Sequence, residues 1–321
     1  MYFRHLSLIA IAFGLFNGAS AAGTWPERTV TLVVPFPAGG TVDTSGRAVS
    51  LALSRIWRQP VVVENRGGAG GTIGAAQVAR AAPDGYTLLI GTPADQVNAP
   101  FLLSKLPYDP ARDLVPVGCL SRGINALVVN PKLGVKSVAE LIASAKAQPG
   151  KLHYGSAGNG NTSHLSGELF AQSANIELMH VPYRGNAPAL TDTIAGQVEM
   201  MFSAPGSIRM HVQNGKLRML AVTSSKRVAS YPDTPTFKEL GLPVEVYAWS
   251  CVFAPSKTSP RLIADISAAL SKALDDPEVE RNILEGEAEK YRQTPEEAQL
   301  FLASERKKWG DLIRGRNIKA D

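Results

Sequence analysis

Two glycine-rich segments contain the residues best suited to bind a ligand. The first covers residues 36–40, follows a β-branched run and is followed by Asp43. The second covers residues 154–164 and contains three glycines, several hydroxyl and amide side chains and no acidic residue. A strand that leads through glycines into a helix presents bare backbone N–H groups at the helix N-terminus, where the helix dipole favours negative charge. The pair of segments therefore predicts an anion site.

The candidate ligand-binding residues come from both segments and from a Tyr-Arg pair that follows a later strand. They are Phe36, Pro37, Ala38, Gly39, Gly40, Asp43, Ser156, Ala157, Gly158, Asn159, Gly160, Thr162, Ser163, His164, Tyr183 and Arg184. The Tyr-Arg pair is placed to close over a ligand, although the arginine could equally be a plain surface charge.

Some of these residues have two interpretations. Asp43 or Thr44 can cap the following helix. Because a carboxylate ligand would repel Asp43, a contact to ligand would instead involve an amine, a hydroxyl or a bridging water. Ser156, Asn159 and Thr162 either donate to a carboxylate or cap a helix. For His164, just inside a helix N-terminus, we favour a neutral packed or hydrogen-bonded ring over a ligand contact.

The elements that position these residues alternate between strand and helix. Apolar runs at 30–34, 61–64 and 86–90 predict strands, and the intervening segments predict helices, which is the βαβ pattern of a mostly parallel sheet. A second α/β series begins after about residue 122, and the C-terminal part is predicted to be helical. This order predicts two lobes, with extended strands that cross between them near 115–125 and 245–255.

Several motifs resemble the Bug family of periplasmic solute-binding proteins, the receptors of tripartite tricarboxylate transporters. The matching segments run in order along nearly all of the chain after residue 29, and Asn161 departs from them where serine is more usual. They are Val-Pro-Phe-Pro-Ala-Gly-Gly-x-x-Asp from residue 34, Val-Val-Glu-Asn-Arg-x-Gly-Ala-Gly-Gly from 62, Ala-Pro-Asp-Gly-Tyr-Thr-Leu from 82, Tyr-Gly-Ser-Ala-Gly-Asn-Gly from 154, Val-Pro-Tyr-Arg-Gly from 181, Ala-Gly-Gln-Val from 195, Pro-Thr-x-x-Glu-x-Gly from 235 and the segment from Trp249 to Pro255.

The resemblance implies a two-lobe Venus-flytrap α/β fold with a ligand between the two glycine-rich segments. On this chain it implies a first lobe of residues 22–122 plus 248–321 and a second lobe of residues 123–247. The implied function is capture of a small mono- or dicarboxylate for a membrane permease, by a monomer without cofactor, metal or catalytic residues.

The N-terminus and the composition bound the location and class of the protein. Arg4, the apolar run 6–16 and the small residues 19–21 predict a signal peptide of residues 1–21, and hence a periplasmic protein. With 45% hydrophobic and 19% charged residues, the chain has a globular composition. Its net charge of +5 comes without a long basic run, so nucleic acid is not an expected partner. Cys119 and Cys251 could form a disulfide or remain two buried thiols.

An enzyme that uses the same cleft is the alternative from another class. Residues 68–74 imitate a dinucleotide fingerprint, but no acidic residue ends the following strand. A secreted hydrolase would need a nucleophile elbow, and the Gly-Ser-Ala-Gly of residues 155–158 misses that motif by one position. The binding protein is therefore the favoured interpretation.

Overall fold

The computed structural model describes residues 25–319, so the predicted signal peptide lies outside the described residues. The strands are β1 (Val30–Val34), β2 (Val61–Asn65), β3 (Thr87–Gly91), β4 (Leu114–Ile124), β5 (Ala126–Val129), β6 (His153–Ser156), β7 (Met179–Pro182), β8 (Met200–Ser203), β9 (Arg218–Val222), β10 (Tyr247–Pro255) and β11 (Ala288–Lys290). The helices are α1 (Thr41–Trp57), α2 (Thr72–Ala79), α3 (Ala99–Leu102), α4 (Val138–Ala147), α5 (Thr162–Ala174), α6 (Asn186–Ala195), α7 (Pro205–Gln213), α8 (Pro260–Ala273), α9 (Pro277–Glu285) and α10 (Pro295–Gly315).

The strands form two mixed sheets flanked by helices, which confirms the two-lobe α/β prediction. The first sheet has the order β11-β4-β10-β3-β1-β2, and β1 pairs in parallel with both β2 and β3. The second has the order β7-β6-β8-β5-β9, and β6 pairs in parallel with both β7 and β8. The long strands β4 and β10 add antiparallel pairs to the first sheet, so it is less parallel than expected.

The chain path makes the edges where the parallel strands end face each other. Strand β4 is antiparallel to β10, which is antiparallel to β3, so β4 leaves the first sheet at the edge where β1, β2 and β3 also end. After Asn125 alone, β5 enters the second sheet antiparallel to β8, at the edge where β6, β7 and β8 end. Ligands of open α/β sheets bind beyond such carboxyl ends. The fold therefore creates a cleft between the two predicted loops.

Strands β4 and β10 of the first sheet, whose ends adjoin the second sheet, are joined covalently. They pair over most of their length, and the ladder has irregular registers on both sides of the pair Cys119–Cys251. The sequence left open whether the two cysteines form a disulfide or stay free thiols. In the structure their sulfur atoms are bonded, so they form the disulfide. Irregular registers bend a strand locally. The cross-link therefore lies within the first sheet, where the register of these two strands is irregular.

Candidate functional site

Helix N-termini without a capping side chain gather at the facing edges of the sheets. Among residues 25–319, five helices have no side-chain hydrogen bond at their N-cap. Helix α3 continues directly from a preceding helical turn. The other four, α1, α2, α6 and α7, follow strands that end at these edges. Helices α4, α8, α9 and α10 begin elsewhere and are capped by Ser137, Ser259, Asp276 and Thr294. Since the first N–H groups of a helix have no intrahelical partner, the uncapped ends offer donors to the cleft.

The first loop is held in place by Asp43. Helix α1 begins at Thr41 with Gly40 as N-cap, so the prediction that Asp43 or Thr44 caps this helix is wrong. Asp43 lies in the first turn and accepts hydrogen bonds from the Gly39 N–H at 2.9 Å, Arg47 Nε at 3.0 Å and Asn65 Nδ2 at 2.8 Å. The same Asn65 amide donates to the carbonyl of Phe36 at 3.1 Å. These bonds tie the loop to the end of β2.

The Asp43 carboxylate is buried and hydrogen-bonded within the protein, so it is poorly placed to contact a ligand. The residue is 2% exposed, and both oxygens accept the bonds described above. Burial alone would raise the pKa of Asp43, but the hydrogen bonds from Arg47, Gly39 and Asn65 outweigh it and hold the pKa below its usual value. In contrast, residues 37–41 are exposed, so this loop presents mainly backbone to the cleft.

Most backbone N–H groups at the start of the second loop donate hydrogen bonds to nearby side chains. The N–H of Ala157 donates to Ser163 Oγ, that of Gly158 to Ser156 Oγ and that of Gly160 to His164 Nδ1. Helix α5 is capped by Asn161, whose side chain accepts from the Ser163 N–H. The expectation of a row of bare N–H groups is therefore wrong for Ala157, Gly158 and Gly160, because nearby side chains accept their hydrogen bonds.

A stacked pair of histidines packs against the second loop. The rings of His164 and His180 lie 3.8 Å apart and nearly parallel, and Tyr154 stacks on His180 at 5.0 Å. Burial lowers the pKa of His164 to about 4, and the positive charge of Arg316 contributes. Burial and the neighbouring His164 lower the pKa of His180 to about 3. The His164 ring is thus neutral and packed at neutral pH, with Nδ1 as an acceptor for the loop.

The contact between Ser156 and His180 resembles part of a nucleophile–base pair but supports the loop instead. Ser156 Oγ lies 2.6 Å from His180 Nε2 and also accepts from the Gly158 N–H at 3.2 Å. A nucleophile must meet its substrate, yet Ser156 has no exposed surface. Its position beneath the loop favours a scaffolding role.

The other candidates of the second lobe lie on the surface near its edge. Thr162 is half-buried in the first turn of α5, and Asn159 is exposed at the loop. Tyr183 follows β7, and its hydroxyl donates to Asp192 Oδ2 at 2.8 Å. Burial and this bond raise the pKa of Tyr183 to about 12. The next residue, Arg184, is exposed and precedes the uncapped N-terminus of α6.

The sequence analysis missed the segment after β3. Residues Ala94–Asn98 form a π-helical turn, a geometry that often occurs at functional sites. A methyl group added to Gly71 would lie 3.3 Å from both the Phe36 ring and the Asp95 side chain, so these three residues pack together. Asn98 donates to the Gly160 carbonyl of the second loop at 2.9 Å. The turn therefore touches both predicted loops, and the rule that ligands bind beyond strand ends could have identified it.

Comparison of the chain with known families gives one match over most of its length. Residues 46–318 match the family described as the tripartite tricarboxylate transporter family receptor. The protein BugT of Bordetella pertussis is 35% identical over 320 residues, which cover 98% of each chain. A UPF0065 protein from the tcbD-tcbE intergenic region of Pseudomonas sp. strain P51 is 38% identical, over 97% of this chain and 94% of that protein.

Solved structures show the same similarity. Rpa4515 of R. palustris, solved with adipate, matches with a TM-score of 0.81 and 35% identity over 92% of this chain and 99% of that one. MatC of Rhodopseudomonas palustris, solved with bound malate, matches with a TM-score of 0.78 and 33% identity over 90% of this chain and all of that one. The periplasmic binding protein BugD matches with a TM-score of 0.78 and 33% identity, over 92% of this chain and 99% of that one.

Proposed function

Because the chain belongs to the Bug family of tripartite tricarboxylate transporter receptors, we propose that it is a periplasmic receptor that binds a small carboxylate between its two sheets. It delivers this ligand, without turnover, to a membrane permease. The observation that carries the proposal is the gathering of four uncapped helix N-termini at the facing sheet edges. The adipate and malate of the two neighbouring structures give the ligand class.

The two lobes contribute to the cleft in different ways. In the first lobe, exposed backbone at residues 37–41 and the uncapped start of α1 supply donors to an anion. In the second lobe, α5 is capped, so the uncapped starts of α6 and α7 and the side chains of Thr162 and Arg184 are the donors that we assign to the ligand. The Tyr183 hydroxyl already donates to Asp192, so Tyr183 contacts the ligand through its ring. Hydrogen bonds from such donors to a carboxylate contribute about 1.5–3 kcal/mol each.

The mechanism follows from the connection between the lobes. In the proposed division, which is 22–122 with 248–321 against 123–247, the described residues 25–122 and 248–319 belong to one lobe and residues 123–247 to the other. Movement of the lobes then occurs where strands β4 and β10 adjoin the second lobe. A ligand that contacts both lobes binds the closed form more tightly than the open form, so it shifts the population toward closure. The permease then recognises the closed monomer.

A thermal-shift screen with paired ligands tests this function. The panel contains mono-, di- and tricarboxylates, each with its neutral amide as a matched control, for example succinate with succinamide. A carboxylate at 100 times its Kd stabilises the folded state by about 2.7 kcal/mol, which raises Tm by several degrees. The amides leave Tm unchanged, and chromatography of the same samples recovers the ligand intact. A panel that leaves Tm unmoved would refute carboxylate binding, and consumption of a ligand would favour an enzyme.

A further inference from the structure

Beside the cleft, a buried hydrogen bond joins the two lobes, in addition to the ion pairs Arg209–Glu287 and Arg316–Glu168. Asn98 follows β3 of the first sheet, and Gly160 belongs to the loop after β6 of the second sheet. The side-chain amide of Asn98 donates to the carbonyl oxygen of Gly160 at 2.9 Å, and Asn98 is only 1% exposed. Burial shields this hydrogen bond from competing water. If the bond is lost, water cannot replace the missing partner, and a buried polar group stays unpaired.

The backbone of Gly160 is shaped for this contact. Its φ of +72° lies in the left-handed region, and an added Cβ would lie 2.2 Å from Leu102 Cδ1 of the first lobe. Glycine therefore permits the loop of the second lobe to approach the first lobe closely. The N–H of Gly160 donates to His164 Nδ1. The Gly160 residue is thus held by a first-lobe amide through its carbonyl and by a second-lobe ring through its N–H.

The turn that carries Asn98 also supports the first loop. Asp95 packs with Gly71 and Phe36, and its carboxylate accepts from the backbone N–H and the hydroxyl of Thr92 at 2.9 and 2.6 Å. The hydroxyl of Tyr108 donates to the Asp95 carbonyl at 2.6 Å. The turn is therefore a rigid piece of the first lobe. Through Asn98 it fixes where the second loop lies relative to the first.

We propose that Asn98 is a positioning residue of the cleft: its bond to Gly160 sets the angle between the lobes and so controls ligand affinity without contact to the ligand. This inference rests on the proposed function for its effect on affinity, whereas its effect on lobe angle stands apart from any ligand. The side-chain oxygen of Asn98 is buried with no partner among residues 25–319. The donor is therefore the group through which this side chain acts.

Substitution of Asn98 tests the proposal against a matched control. Asn98→Ala removes the donor, and Asn98→Asp keeps the shape but turns an acceptor toward the Gly160 carbonyl. The control is Asn130→Ala, because the Asn130 amide is also buried and donates to two carbonyls, those of Thr193 and Ile194, within one lobe. All three variants lose thermal stability, which would also follow from a merely structural role. The deciding measurements are therefore the lobe angle and the affinity.

Small-angle X-ray scattering of the ligand-free proteins gives the lobe angle. Both Asn98 variants increase the radius of gyration, and Asn130→Ala leaves it at the wild-type value. Titration with malate and adipate then gives the affinity, and Asn98→Ala weakens Kd about ten-fold, as expected for one buried hydrogen bond. An unchanged radius of gyration in both Asn98 variants would overturn the proposal. If neither acid binds the wild type, the scattering result still decides the role of Asn98, while the carboxylate panel decides the function.

Discussion

At the scale of single residues, the side chains nearest the cleft mostly support backbone. Asp43 ties the first loop to β2 through Asn65, and His164 accepts from the Gly160 N–H in the second loop. Ser156 is fully buried beneath the same loop. Buried polar groups of this kind fix a loop only when all of them are paired. Ligand recognition therefore falls to backbone donors whose geometry these side chains maintain.

Asp43→Ala removes the acceptor of three hydrogen bonds and should loosen the first loop. We expect a loss of about 1–3 kcal/mol in the free energy of unfolding, because the partners of a buried group are left unpaired. Ligand affinity should fall as well. Urea denaturation and calorimetric titration measure the two effects. The control is Asp311→Ala: Asp311 is 55% exposed and pairs with Lys307 and Arg314 in solvent, so its loss should lower the free energy of unfolding much less. Equal losses in the two variants would contradict the role of Asp43.

The neutral ring of His164 predicts an acid sensitivity. Its pKa is about 4 in the folded protein against 6.5 for an unperturbed histidine. As the pH falls from 6.5 toward 4, the unfolded chain therefore binds the proton first. The stability contributed by the neutral ring is complete above this window and is lost within it. The titratable and charged groups that face the ring are Tyr154, Glu168, His180 and Arg316.

His164→Asn should flatten this dependence, since the asparagine oxygen can accept from the Gly160 N–H but does not take up a proton. Urea denaturation at pH 7 and pH 5 gives the change in free energy of unfolding for each protein. We expect a smaller change in the variant than in the wild type. His211→Asn, on the half-exposed C-terminal part of α7, serves as control and should behave as the wild type does. The same pH dependence in His164→Asn and wild type would rule out His164 as the source.

At the scale of elements, the strands β4 and β10, whose ends adjoin the second lobe, differ from the rest of the first sheet. Strands β4 and β10 pair over most of their length with irregular registers around the disulfide, whereas β1 and β2 pair without interruption. Helix caps follow a similar division, since uncapped helices start at the cleft edge and capped helices mostly start elsewhere. Helix α5 is the exception, because Asn161 caps it beside the cleft.

The disulfide between β4 and β10 should contribute strongly to stability. It closes a loop of 132 residues, and a native disulfide typically contributes about 2–5 kcal/mol, mainly because it restricts the unfolded chain. The double variant Cys119→Ser/Cys251→Ser should lose stability in this range by urea denaturation. Reduced wild type provides the control with the same sequence and should match the double variant. Detection of two free thiols in denatured, unreduced protein would contradict the disulfide.

At the scale of the whole molecule, the cleft results from the order in which the chain visits the two sheets. Strand β4 leaves the first sheet at its carboxyl edge, and β5 enters the second at the corresponding edge after a single residue. Arg316, after α10, forms an ion pair with Glu168 of α5, so the C-terminal segment also contacts the second lobe. No helix among residues 25–319 is long and apolar enough to span a membrane.

The sequence by itself determined the local elements, the family and the two loops. The run 30–34, the glycines that follow it and the Thr294–Glu297 capping box act over a few residues, so propensity and spacing reveal them. Only the tertiary structure decided that Asp43 is paired, that His164 stacks on His180 and that Asn98 reaches Gly160. The last contact joins residues 62 positions apart. Such contacts depend on how two sheets meet in space, and spacing along the chain carries no record of that distance.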